Sequence, residues 1–268
     1  MPDLNSILIV GCGNMGGAML AGWLAGGLDP ARFTIFDPNL VDAPTGTTLL
    51  RELPDRAFDA VLLGVKPQLL GEIAPALTAL VGPETVLISI LAGVELASLA
   101  GRFPAAKAIV RAMPNLAAAI GKSPVGLAAQ GLDDTDRAAL IALMAPLGTP
   151  QWLEEDQFDL ITALVGSGPA FVYRFIDALA VGATELGLDA QAAQQFALAM
   201  VEGASALAAS LKQSPRELAE RVASPGGTTR AGLDVLDADA ALARLVGQTL
   251  RRARDRGAEL AALARNGG

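Results

Sequence analysis

The sequence predicts an α/β domain with a mainly parallel sheet over residues 1–153, followed by an all-α domain over residues 154–268, and three observations carry that expectation. Short apolar runs alternate with Ala- and Leu-rich helical stretches through the first half, the pattern of strand–helix–strand units. Those runs lack a polar alternation, as strands do when both faces of a parallel sheet are covered. After Glu154 no convincing strand follows and the periodicity is helical to the end. A chain of 268 residues has room for both units, because domains most often run about 100–150 residues and single cores stop growing at about 250–300.

In chain order, SILIV ending at Val10 reads as the first strand and Met15 to Ala25 as the first helix. FTIF ending at Phe36 and AVLLGV ending at Val65 follow as strands, then a helix from Gln68 to Leu80. TVLISI ending at Ile90, a helix from Glu95 to Ala100, and AIV ending at Val110 continue the alternation. PVGLAA and a helix from Thr135 to Met144 complete the domain. In the second half, Phe196, Met200, Gly203, Ala204, Leu207 and Leu211 recur at helical spacing. So do Leu242, Leu245, Val246, Thr249, Leu250, Ala253 and Leu260. Ala and Gly on such stripes let helices approach closely, and a small helical domain has little interior in which to hide them. Self-association, as a homodimer or higher homo-oligomer, is expected.

Hydrophobic residues make up 52% of the chain with a single Tyr, so the core is aliphatic. The net charge is -8 and no dense basic run occurs, which argues against a nucleic-acid surface. Arg251, Arg252, Arg254 and Arg256 cluster, but on a helix they spread around a solvated face. One cysteine and no histidine remove disulfides, Cys/His zinc sites and imidazole catalysis, and no metal is expected. The start, MPDLNS, lacks a basic segment, so a signal peptide is not expected. The apolar stretch Phe196 to Leu211 contains Glu202 and is shorter than the roughly 20 residues of a membrane span. These features describe a soluble, cytoplasmic protein.

Gly11-Cys12-Gly13-Asn14-Met15-Gly16 is a G-x-G-x-x-G that directly follows the strand SILIV and opens a helix. Asp37 ends the next strand, 21 residues after Gly16, where a dinucleotide-binding fold places the acid that accepts bonds from the adenosine ribose. Gly11 permits the tight turn, Gly13 lets the backbone reach a pyrophosphate, and Gly16 allows close helix–strand packing. The helix N-terminus supplies amide donors. Cys12 reads as a small buried filler within this loop. The fold class is therefore Rossmann-type, with Gly11 to Gly16 and Asp37 as cofactor-binding residues. Val65-Lys66-Pro67, Ala92-Gly93 and Met113-Pro114-Asn115 fall on the same strand edge and are expected to border the same crevice. For Lys66 an exposed loop lysine explains the residue nearly as well.

Ser224-Pro225-Gly226-Gly227-Thr228-Thr229 precedes a helical stretch, Arg230 to Leu236. Unblocked backbone N–H groups and Thr hydroxyls at a helix start form a receptor for a carboxylate that needs no arginine. Ordinary helix capping after a loop explains the same residues.

SPGGTTRAGLDVLD resembles the C-terminal signature of pyrroline-5-carboxylate reductases, and GCGNMG, GVKPQ, AGV at Ala92 to Val94, RAMPN and VGSGPAFVY stand in that family's order. The resemblance covers nearly the whole chain. It implies reduction of the cyclic imine 1-pyrroline-5-carboxylate to L-proline by NADPH or NADH, the last step of proline biosynthesis. It further implies that Ser224, Gly226, Gly227 and Thr228 hold the substrate carboxylate and that the Thr229 hydroxyl meets the ring nitrogen as the catalytic contact. It implies interlocked C-terminal domains, with each active site completed by a neighbouring subunit. Hydride addition to a protonated imine needs no nucleophile and no metal, so placement supplies much of the acceleration. A threonine is a poor general acid, so its part is to donate or accept a hydrogen bond and relay water.

Asp37 favours a free ribose 2′-hydroxyl, whereas many members of that family accept NADPH; Arg51 would counter the acid if it folded towards the adenosine end. Cofactor preference is therefore open at the level of sequence. Two rival readings are a β-hydroxyacid dehydrogenase-like oxidoreductase and a non-catalytic dinucleotide-binding protein. The first needs a lysine four residues after the second glycine of its G-S-G motif, and in GSGPAFV that position is Val172. The intact SPGGTT segment argues against the second.

Overall fold

A computed structural model describes residues 4–266; Leu260, one position of the expected apolar stripe, is outside the residues whose side chains are described. The chain forms two compact units: residues 1–167 together with 252–268, and residues 168–251. The structure turns all-helical after β8 (Gly148–Trp152), and the division between the compact units falls further on, at Ser167.

The first unit is built on one sheet with the order β3-β2-β1-β4-β5-β6-β7-β8. Its strands are β1 (Ile7–Val10), β2 (Phe33–Phe36), β3 (Thr48–Leu50), β4 (Ala60–Leu63), β5 (Val86–Ser89), β6 (Ala108–Met113), β7 (Ser123–Gln130) and β8. All pairings are parallel except β6 with β7. Successive side chains of a strand point to opposite faces, so each apolar run feeds two cores. Ile7, Ile9, Ala60, Leu62, Val86 and Ile88 lie in one, and Leu8, Val10, Val61, Leu63 and Leu87 in the other. The first core is covered by α1 (Asn14–Ala25) through Met19, Leu20 and Trp23, and by α4 (Asp134–Met144) through Leu140, Leu143 and Met144. Trp23 stacks on Phe33 at 5.2 Å between centroids and donates its indole N–H to the Leu143 carbonyl at 2.8 Å. The second core is covered by α2 (Leu70–Leu77) and α3 (Leu96–Arg102), with Phe158 and Ile161 of the short α5 (Phe158–Ile161) packed into it.

Three elements differ from the sequence expectation. β6 runs on past Val110 to Met113 because Arg111, which reads as a strand-ending charge, is buried and paired. β3 and β8 are unforeseen. β3 has three residues, and β8 carries Pro150, which an edge strand tolerates because one of its N–H rows is not needed by a neighbour.

The second unit contains α6 (Gly168–Glu185), α7 (Ala190–Ser210), α8 (Pro215–Val222) and α9 (Thr228–Asp237), with the start of α10 (Ala241–Asn266). α6 packs on α7 through Ile176, Leu179, Ala180 and Ala183 against Ala193 and Ala197. α8 opens with a reciprocal cap, the Ser214 hydroxyl serving the Glu217 N–H and the Glu217 carboxylate the Ser214 N–H. The expected stripe is helical as far as Leu207 but faces outward: Phe196 is 67% and Leu207 58% exposed, Met200 is exposed too, and exposed Leu211 lies just past the helix at its extended C-cap. Leu242, Leu245 and Val246 of α10 are likewise exposed, while Thr249, Leu250 and Ala253 are half-buried. The helical run Glu155–Glu185 is, by length and composition alone, apolar enough to cross a membrane, and little of it is buried.

Candidate active site

In the first unit the site begins at the C-terminal edge of the parallel strands. Gly11 sits at φ 84°, and a Cβ there would lie 2.9 Å from Val65 Cγ1 and 3.0 Å from its backbone nitrogen. A Cβ on Gly16 would come within 2.7 Å of the Gly11 carbonyl oxygen, so α1 could not start this close to β1 with any larger residue. Gly13 is the contrary case, with nothing within 4 Å of its would-be Cβ. The open space is on the side where a ligand approaches the loop. The first helical bond of α1 runs from the Gly17 N–H to the Gly13 carbonyl at 2.8 Å, and no side chain caps the helix. The N–H groups of Asn14, Met15 and Gly16 therefore precede the helical ladder and meet an incoming anion together with the helix dipole.

A cleft of about 580 Å³ lies over this loop, lined by Gly11, Gly13, Asp37, Val65 and Lys66 among the expected residues. Asp37 projects from the end of β2; its Oδ2 accepts from the Cys12 N–H and its Oδ1 from the Asn39 N–H, each at 2.9 Å. Each carboxylate oxygen keeps a second lone pair for a ligand hydroxyl. Cys12 itself is buried, and burial first, then the Asp37 charge, pushes its thiol up to about 11, so it is neutral under ordinary conditions. Sequence reasoning missed the opposite wall, made by Leu53, Leu69, Ile73 and Ala76. The signal was present: Leu70, Ala74 and Leu77 form the core face of α2, while Leu69, Ile73 and Ala76 recur at helical spacing one residue earlier. An apolar wall beside open helix-start N–H groups, with an acid at the strand end, fits an adenine dinucleotide.

The other expected positions lie on the same edge but not in this cleft. Pro67 opens a short 3-10 turn after exposed Lys66. Gly93 occupies φ 75° in the turn after β5, with Ala92 exposed beside it. Asn115 is committed to the protein: its Oδ1 accepts from the Ala117 N–H at 2.9 Å and its Nδ2 donates to the Val165 carbonyl at 3.1 Å. That carbonyl belongs to a π-helical turn, Thr162–Gly166, where the widened ladder frees backbone groups for other partners. Beneath the edge, Glu155 Oε1 accepts from the Leu96 N–H at 2.6 Å and from Arg111 Nη1 at 3.1 Å. The Arg111 guanidinium also lies 4.0 Å over the Phe158 ring, and its burial lowers the pKa against the opposing pull of Glu155. One carboxylate thus ties the start of α3, which follows the Ala92-Gly93 turn, to the end of β6, which precedes Asn115.

In the second unit, Ser224 to Gly227 form a turn with Pro225 in its second position and Gly226, at φ 70°, in its third, closed by the Gly227 N–H on the Ser224 carbonyl at 3.0 Å. This is the type II pattern, which requires a positive φ where glycine stands. Gly227 then caps α9 without a side-chain bond. The first helical bond is from the Ala231 N–H to the Gly227 carbonyl, so the N–H groups of Thr228, Thr229 and Arg230 precede the ladder. Both threonines are exposed, and Ser224 Oγ sits over Gly227, 2.6 Å from where a Cβ would be. The neighbouring Arg230 is bound elsewhere, to the Glu220 carboxylate and, at 3.9 Å, to Asp234. The helix start thus presents backbone N–H groups ahead of the ladder beside exposed hydroxyls, donors of the kind that a carboxylate accepts.

A family model described as pyrroline-5-carboxylate reductase dimerisation matches residues 155–260. The pyrroline-5-carboxylate reductase of Pseudomonas aeruginosa is 33% identical over 264 residues, covering 95% of this chain and 96% of its own length. That of Methanosarcina acetivorans is 32% identical, covering 94% of this chain and 96% of its own length. Among solved structures, a pyrroline-5-carboxylate reductase from Coxiella burnetii aligns with TM-score 0.88 and 30% identity, over 96% of this chain and 98% of that one.

Proposed function

The chain belongs to the pyrroline-5-carboxylate reductase family, and on that premise we propose how its own residues divide the work. It is an NAD(P)H-dependent oxidoreductase that reduces the cyclic imine 1-pyrroline-5-carboxylate to L-proline. The bound dinucleotide supplies the hydride. Gly11 to Gly16 hold the pyrophosphate at the start of α1, and Asp37 accepts the adenosine ribose hydroxyls. Val65, Lys66 and Pro67, with the Ala92-Gly93 turn, border the rest of the cofactor. Asn115 serves by fixing the turn beyond β6, since its side chain is already bonded within the protein.

The observation that carries the substrate assignment is the uncapped start of α9. The N–H groups of Thr228, Thr229 and Arg230, with the Ser224 and Thr228 hydroxyls, receive the substrate carboxylate. Gly226, with nothing within 4 Å of its would-be Cβ, keeps the approach open, and Gly227 makes room for the Ser224 hydroxyl. The Thr229 hydroxyl bonds the ring nitrogen and relays a proton through water; it does not serve as an acid in its own right.

The protein is a homo-oligomer acting on a small molecule. We assign the helical segment 154–268 to substrate binding and dimerisation, with exposed Phe196, Met200 and Leu207 covered by a second copy rather than by lipid. Nucleic acid is no partner, because the chain is acidic and two of the clustered arginines, Arg254 and Arg256, pair with Asp255 and Glu259. A cytoplasmic location suits its single, buried thiol. An assay with 1-pyrroline-5-carboxylate and either cofactor tests the reading, and proline formation lost on Thr228/Thr229 double substitution is the expected result.

A further inference from the structure

Arg51 follows β3, stands next to Asp37 of the cleft lining without itself lining the cleft, and has no part in the assignment above. Its Nη1 donates to the Asp37 backbone carbonyl at 2.8 Å and its Nη2 to the Val41 carbonyl at 3.2 Å. The guanidinium therefore sits inside the bend by which the chain leaves β2, beside the residue that ends that strand. It is exposed, and a guanidinium carries five N–H donors, so the two carbonyls leave donors over. Meanwhile the Asp37 carboxylate is drawn to the other side, towards the Cys12 and Asn39 N–H groups. Asp37 thus stands between two partners, its carboxylate meeting the glycine loop and its carbonyl meeting the guanidinium.

In a dinucleotide fold an acid at the strand end selects a free 2′-hydroxyl, and an arginine nearby accommodates a 2′-phosphate. Asp37 alone would repel that phosphate. We propose that Arg51 is the residue that reads the 2′-phosphate, so that the enzyme takes NADPH in spite of Asp37 and is not confined to NADH. Arg suits the task better than Lys would, since its planar fork meets two phosphate oxygens at once and part of it is already held in place by the two carbonyls. This inference rests on the reading of the cleft as the dinucleotide site.

Calorimetric titration of wild type, Arg51→Ala and Arg51→Lys with NADP+ and with NAD+ separates the inference from its rivals. The expected result is a roughly 10- to 100-fold weaker NADP+ affinity in Arg51→Ala, the size of a lost charge-assisted hydrogen bond, with NAD+ affinity within about threefold. Arg51→Lys should fall between. A merely structural arginine that pins the bend would weaken both dinucleotides together, and that outcome, or an unchanged NADP+ affinity, would overturn the proposal. Imine reduction with NADH, followed in the same variants, keeps the two levels apart. If the wild type reduces the imine but Arg51→Ala does not discriminate, Arg51 alone is misassigned. If the wild type binds neither dinucleotide, the cleft assignment fails with it.

Discussion

Asp37 Oδ2 accepts the backbone N–H of Cys12 at 2.9 Å, so the acid that ends β2 also holds the second residue of the glycine loop after β1. Two features that sequence motifs treat separately, the G-x-G-x-x-G and the downstream acid, are one bonded unit.

Gly13→Val should abolish dinucleotide binding without unfolding the protein. Among the described residues nothing lies within 4 Å of the added Cβ, so the side chain enters only the open space that the proposed assignment gives to the pyrophosphate. Calorimetry with either cofactor, alongside an unchanged circular dichroism spectrum, checks this, and wild-type affinity would remove the loop from the cofactor site.

Asp37→Ser should shift preference towards NADPH, by roughly 10-fold or more in the ratio of kcat/KM values, because a charge facing the 2′-position is lost while a hydroxyl remains to accept the ribose. The same change gives up the bond to Cys12, so NADH affinity should fall in absolute terms. Steady-state kinetics with both cofactors measures the two effects separately.

Glu155→Ala should destabilise the fold more than Arg111→Met does. Removing the acid leaves a cation that is 3% exposed at its side chain without its ion-pair partner, whereas removing the cation leaves an acid that is 34% exposed and can turn to water. The cost of Glu155→Ala should be about 2–3 kcal/mol, at or below the range for broken buried pairs because water reaches one side. Urea unfolding of the two variants decides the order.

The sheet was legible where both faces of a strand are covered, since four consecutive apolar residues such as Ile7 to Val10 have no other economical burial. Legibility failed where a tertiary partner overrides local chemistry. Arg111 hid the end of β6, because only Glu155 and Phe158, some 45 residues on, make its burial tolerable. β8 hid behind Pro150, which nothing local marks as an edge position. In the proposed site, the glycine loop and SPGGTT could be put forward from sequence because the chemistry they offer is backbone chemistry, dictated by residues next to one another. Arg51 was readable as a question only, since its role depends on which carbonyls the bend after β2 presents. The α7 stripe was read correctly as helical, but its exposure in the single chain shows that periodicity reports an apolar face and not what covers it.

The account stands most directly on Thr229, exposed at the uncapped start of α9. If its hydroxyl bonds the ring nitrogen chiefly as hydride arrives, Thr229→Ala should lower kcat more than it raises KM. A hydrogen bond to a charged group contributes about 1.5–3 kcal/mol, so kcat/KM should fall roughly 10- to 150-fold, with cofactor affinity unchanged. Thr228→Ala should do less, because its backbone N–H still reaches the carboxylate. Steady-state kinetics of the two purified variants with 1-pyrroline-5-carboxylate is the deciding measurement: that ordering supports the account, and a Thr229→Ala enzyme with wild-type kcat/KM would contradict it.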